Sequence, residues 1–92
     1  MNERDLNGIV YSVGRLCRAV YRDGIVPDDA MVALAVNPAE GMAMVLGSEE
    51  ARKADQNLLE SIASEIPVFE WPKGGLSDES KSFFWLGFYK ER

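Results

Sequence analysis

The side chains that most often carry enzymatic chemistry are scarce in this sequence. It contains no histidine, which removes the commonest general base, the commonest metal ligand and every Ser-His-Asp or Cys-His arrangement. A single cysteine, Cys17, rules out a disulfide within these 92 residues and any multi-cysteine zinc site, and it suits a reducing cytoplasm. Cys17 also falls on an apolar helical stripe, where a cysteine behaves as a small core residue and not as a nucleophile. Carboxylates are plentiful. Glycosidase-type or metal-ion work by pairs such as Asp28-Asp29 would need convergence in one cleft, however, and neighbours on a helix point apart. No catalytic residue, metal ligand or cofactor site is expected, and the chain is read as a non-enzyme.

Two groups of residues could instead make contacts. Tyr11, Arg15, Arg18 and Arg22 are spaced by four, three and four, so a helix carries three guanidinium groups and a phenol on one face, roughly opposite its apolar stripe. Such planar forks suit phosphate or carboxylate. The face is open to an acidic protein surface, to weak contact with a nucleic-acid backbone, or to ordinary pairing with acidic residues of a neighbouring helix. The second group is the C-terminal cluster Phe83, Phe84, Trp85, Phe88 and Tyr89. Phe84 and Phe88 share one helical face, Trp85 and Tyr89 the next. The first pair is expected in the core, and the second is expected to meet Val68, Phe69 and Trp71 or to remain as a contact surface.

These residues must be positioned by helices. Leu6, Ile9, Val10, Val13, Leu16, Cys17 and Val20 recur at intervals of three and four, an amphipathic first helix ended by Asp23-Gly24. Gly14, inside it, is read as a close-packing position. A second helix starts at Pro27 and stops near Asn37, and Asn37-Pro38-Ala39-Glu40 then opens a third with an Asn cap, Pro at the first position and Glu at the third. Gly47 ends it near Leu46. Ser48-Glu49-Glu50 opens a fourth, read as one helix through Ala51, Ala54, Leu58, Leu59, Ile62, Ala63 and Ile66. Two prolines and two glycines between Pro67 and Leu76 make a loop with at most a short strand near Val68. Ser77-Asp78-Glu79 caps the last helix. The fold expected is all-α, a small bundle of four to five helices in a single helical domain spanning 1–92.

The class of the chain follows from its totals. At 47% hydrophobic and 27% charged it is a folding sequence, yet a domain of this size buries only about two thirds of its unfolded surface, so a partner that completes the core is plausible. Ten basic against fifteen acidic residues give a net charge of −5, which argues against a general nucleic-acid coat. The charge is polarised: residues 1–23 carry +1 and residues 24–80 carry −8, an acidic surface that a basic partner would seek. Six of these acids, Asp28, Asp29, Glu49, Glu50, Asp78 and Glu79, fall in helix first turns, where capping alone accounts for them. No apolar run approaches a membrane span and no signal-peptide core follows Met1. A soluble, cytoplasmic protein without a membrane partner is expected.

Two segments together resemble one family. Tyr11-Ser12-Val13-Gly14-Arg15-Leu16, followed by Ala35-Val36-Asn37-Pro38, resembles the Tyr-x-x-Gly-Arg-Leu helix and downstream Ala-x-x-Pro element in the C-terminal helical part of the type I-C CRISPR large subunit, a part also made as a separate small subunit. The stretch from Trp71-Pro72 through Leu76-Ser77, Glu79, Phe84 and Gly87-Phe88-Tyr89 to Arg92 is similar to that family's closing Phe-Pro-x-x-Leu-Ser-x-Glu-x-x-x-x-Phe-x-x-Gly-Tyr-Tyr-His-Gln-Arg. The resemblance implies a non-catalytic subunit of an RNA-guided surveillance complex, contacting its backbone subunits and steadying target DNA. Tyr11, Gly14, Arg15, Leu16, Phe84, Gly87, Tyr89 and Arg92 are the matching positions, with Arg15 and Arg92 as charged contacts. With Arg18, Arg22 and Trp85 added, Tyr11, Arg15, Tyr89 and Arg92 make up the expected partner-binding set.

Departures from the family pattern favour other roles. Lys90-Glu91 replaces His-Gln, the middle is shorter, and the charge of −5 does not suit a DNA-steadying subunit. One alternative is a phage or mobile-element anti-CRISPR inhibitor that mimics the subunit and blocks assembly or DNA binding. Another is a small helical protein that pairs with itself as a homodimer in an unrelated role.

Overall fold

The computed structural model describes residues 3–67 and 75–90. Among them the chain is all-α: α1 (Glu3–Val20), α2 (Asp28–Val36), α3 (Pro38–Leu46), α4 (Glu49–Lys53), α5 (Gln56–Ala63) and α6 (Asp78–Lys90), with no strand. Five helices exceed two turns and α4 is little more than one, so the small bundle expected from the sequence is the architecture observed. The expected packing of Val68, Phe69 and Trp71, and the short strand near Val68, lie outside the described residues.

Helix α1 is the axis of the bundle, touching α3, α4, α5 and, most extensively, α6. Its stripe of Ile9, Val10, Val13, Leu16, Cys17 and Val20 is buried, and so are Asn7, Ser12, Ala19 and Tyr21 off that stripe. The helix ends where Gly24 adopts φ +83° and donates its N–H to the Tyr21 carbonyl at 2.9 Å, the left-handed conformation that glycine takes without a Cβ penalty.

The α1–α6 crossing depends on two glycines. A Cβ on Gly14 would strike the Phe84 carbonyl and the Phe88 amide, and one on Gly87 would strike the Tyr11 carbonyl. Each glycine therefore lets the other helix's backbone approach to contact distance. Phe84 and Phe88, 6% and 2% exposed, then seal the seam. Beside them the buried Ser80 hydroxyl donates to Asn7 Oδ1 at 2.8 Å, so the two polar side chains inside the crossing satisfy each other.

Local capping fixes the remaining joints. Asn37 accepts from the Glu40 amide at 3.4 Å and its amide group donates to the Glu40 carboxylate. Ser48 caps α4 through Ala51, and Ser77 caps α6 through Ser80. The fourth helix does not run unbroken to Ile66 as expected. Ala54 is extended (ψ 169°), and Asp55 accepts from the amides of Asn57 and Leu58 as the N-cap of a separate α5. Gln56 stabilises the break by donating to the carbonyls of Ala51 and Ala54 at 2.8 and 3.0 Å, groups that a continuous helix would have paired itself.

Candidate interaction surface

The arginine stripe of α1 is not a free face. Because α5 and α6 flank α1, two of its guanidinium groups are drawn into the fold. Arg15 Nη1 lies 2.6 Å from Glu65 Oε2, with the arginine side chain only 24% exposed. Arg18 sits over the Phe88 ring at 5.3 Å from its centroid and extends to the turn, where a Cβ on Gly24 would strike its guanidinium. A cation held over an aromatic face is already partly satisfied. Tyr11 is half-buried, lining an open cleft with Arg4, Asn7, Gly8, Glu79 and Phe83. Arg22 is exposed. The face still lies roughly opposite the apolar stripe of α1, but the turn after α5 and the Phe88 ring of α6 each engage one of its arginines. Arg15 pairs with an acid as one of the readings left open by the sequence had it, but that acid lies in the turn after α5 and not on a helix.

Trp85 and Tyr89 are brought together. They stack at 6.0 Å between centroids with planes 29° apart, and both remain exposed, at 40% and 57%. Edge-to-face contacts with Phe84 and Phe88 hold the indole from behind. Leu86 follows at 58% exposure. Among the described residues the second aromatic pair is an exposed platform, and its expected contact with Val68, Phe69 and Trp71 lies outside them. Arg92 lies outside the described residues.

The surface also includes residues that the sequence reading passed over. Val32 and Val36 of α2 are 63% and 66% exposed. Between α2 and the aromatic platform lies an apolar pocket of about 80 Å³, lined by Met31, Leu34, Ala35, Leu76, Phe84 and Trp85, with Lys81 at its edge. The signal was present in composition: after Asp28-Asp29, α2 reads Ala-Met-Val-Ala-Leu-Ala-Val, apolar on every side. A helix of that kind needs neighbours all round, and α2 packs principally on α3.

Burial shifts two of the titratable groups. Burial pushes the Cys17 thiol up to about 12, so it stays protonated and unreactive. Burial likewise raises Tyr21 above the usual phenol value, against a smaller lowering by its hydrogen bond to Ser48. Among the described residues no three cysteine or carboxylate groups converge as metal ligands. No helix described is long and apolar enough to cross a membrane. The chain matches no family model, no curated protein and no solved structure.

Proposed function

We propose that the chain is a non-catalytic helical interaction module that docks on protein subunits of a type I CRISPR surveillance complex. The observation that carries the reading is the exposed, rigidly backed Trp85–Tyr89 platform beside an apolar pocket, since stacked aromatics at a dry patch are what protein hot spots are made of. The two segments that carry the resemblance meet through the reciprocal contacts of Gly14 and Gly87.

Direct steadying of DNA is the weaker part of the family's role here, because Arg15 and Arg18 are engaged within the fold and affinity for phosphate rests on available cations. That same commitment, with the net charge of −5, favours a second reading, an inhibitor that occupies the subunit's docking place without its DNA contacts.

Titration into a reconstituted type I-C complex, with and without its own small subunit, separates the two by target-DNA binding. Restored binding in the depleted complex identifies a subunit, and lost binding in the complete complex identifies an inhibitor. No effect on either overturns both readings.

A further inference from the structure

We infer that the groove between α2 and α6 receives a basic amphipathic helix of the protein partner. This inference rests on the docking role proposed above and specifies its chemistry. Its walls are the Met31–Ala35 side of α2 and the Phe84–Trp85 side of α6, which line one pocket together. Its floor is the pocket of about 80 Å³ beneath Met31, Ala35 and Trp85, enough for one aliphatic or methionine side chain as an anchor. Helix-in-groove recognition requires such a pocket with further apolar contacts one turn away on the incoming helix. Tyr89, one turn after Trp85, supplies one on the α6 wall, and Val32, four residues after Asp28, stands exposed at the rim of α2.

Charge selects the occupant. Asp28 precedes Met31 by three residues and Ala35 by seven, which places it on the groove-lining side of α2. Asp78 stands in the same relation to Lys81 and Trp85 on α6. Each wall therefore begins with an exposed carboxylate. Lys81, the one cation among the described residues lining the pocket, has Asp78 at 4.0 Å, and no basic residue occurs on α2 or α3. Over residues 24–67 eight acids face two bases. The mouth of the groove is negative, so a helix with lysine or arginine flanking its apolar stripe is attracted and an acidic one repelled. A second copy of this chain would bring its own Asp28 and Asp78 against these, which disfavours self-pairing here.

The probe is a fluorescein-labelled amphipathic peptide with leucine on one face and lysine on the other, titrated with the full chain by fluorescence anisotropy, alongside a version with glutamate for lysine. The lysine peptide is expected to bind about tenfold tighter in roughly 0.01 M salt, and that preference should collapse in roughly 1 M salt, where the screening length has shrunk to about 3 Å. Val32→Ser combined with Trp85→Ser, both at exposed positions, should weaken the lysine peptide by about tenfold or more, as loss of an aromatic anchor does. Asp28→Asn combined with Asp78→Asn changes charge alone and should cost about threefold, only at low salt. Equal binding of the two peptides overturns the inference, as does unchanged binding to the Val32→Ser, Trp85→Ser variant. A dimer detected by light scattering and dissociated by Val32→Ser would give the groove to a second copy and also overturn it. The docking role fails separately: it falls if the lysine peptide binds as expected while the reconstituted complex is unaffected, and it survives the loss of this inference if the complex responds equally to wild type and the groove variant.

Discussion

The α1–α6 pair and the α2–α3 hairpin use apolar residues to opposite effect. Helix α6 opens Asp-Glu-Ser-Lys-Ser and α1 contains four arginine or aspartate residues between Arg4 and Arg18, yet their seam is closed, with Phe84, Phe88, Val10 and Leu16 all buried. The hairpin is apolar almost throughout, yet it leaves Val32, Val36 and Leu46 at 63%, 66% and 45% exposure. Apolar content measures what a helix can bury, and the neighbours it is given decide what it does bury. Helix α1 is surrounded, whereas α2 leans on α3 and is tied to the segment before α6 by the Leu76 amide bonded to the Ala35 carbonyl at 3.1 Å.

The largest test of that contrast lies on α6 itself. Phe88→Ala, in the closed seam, should cost about 3–5 kcal/mol in urea unfolding, whereas Leu86→Ala, two residues earlier on the open side, should stay within about 0.5 kcal/mol. Similar losses from both would mean that the two sides of α6 are not energetically distinct. Next in size is the pair of glycine crossings. Gly14→Ala drives a methyl into the α6 backbone and should destabilise by about 2 kcal/mol, since overpacking against backbone has no flexible group to yield. Gly41→Ala meets the Leu34 backbone in the hairpin in the same way. There α2 is anchored in the core by Ala30 and Leu34 but open on its Val32 and Val36 side, so a loss of about 1 kcal/mol, smaller than at Gly14, is expected in thermal melts.

What was legible in the sequence was local. Asn37, Ser48, Gly24 and Ser77 could be assigned as caps or stops because a cap bonds to amides within three residues of itself. Asp55 belongs to the same grammar and was missed, because Leu59 and Ile62 continue the helical period across it and periodicity does not register one extended residue. Spacing also placed Arg15 and Arg18 on one side of α1, but it carries no information about where α5 and α6 arrive. Whether a residue three turns along a helix meets solvent, Glu65 or Phe88 depends on those arrivals. The Trp85–Tyr89 pair shows both limits at once. Its shared face follows from four-residue spacing, and its exposure follows from there being no described helix beyond it.

The comparison also has a pH signature. Cys17 is fully buried in α1 and its thiol is held up to about 12 from an ordinary value near 9. The folded chain therefore keeps a proton that the unfolded chain releases above about pH 9. The thiol's contribution is fully present below that pH and is lost as pH rises toward 12. The expected slope approaches about 1.4 kcal/mol per pH unit. Tyr21, also raised by burial, adds a loss of the same sign beginning above the usual phenol range. Unfolding free energies at pH 9 and pH 10 should show a decline of about 1 kcal/mol that Cys17→Ala flattens. Comparing slopes within each protein removes the cavity cost of the substitution, and an unchanged slope would show that water reaches the thiol in the native state.

The smallest effect has the opposite sign and isolates what the crossing does to a glycine. Gly8 lies on α1 two turns before Gly14, and a Cβ there meets nothing within 4 Å. A glycine in a helix interior gives up more backbone entropy than alanine and supplies no contact in return. With no opposing backbone to strike, Gly8→Ala should stabilise the chain by up to about 1 kcal/mol, read as a rise in the thermal midpoint. The same substitution six residues later destabilises, so the difference between the two variants belongs to the proximity of α6 and not to glycine as a residue type. If Gly8→Ala destabilises instead, α1 is approached by another segment at its N-terminal end, and the cleft beside Tyr11 and Phe83 is not open in solution.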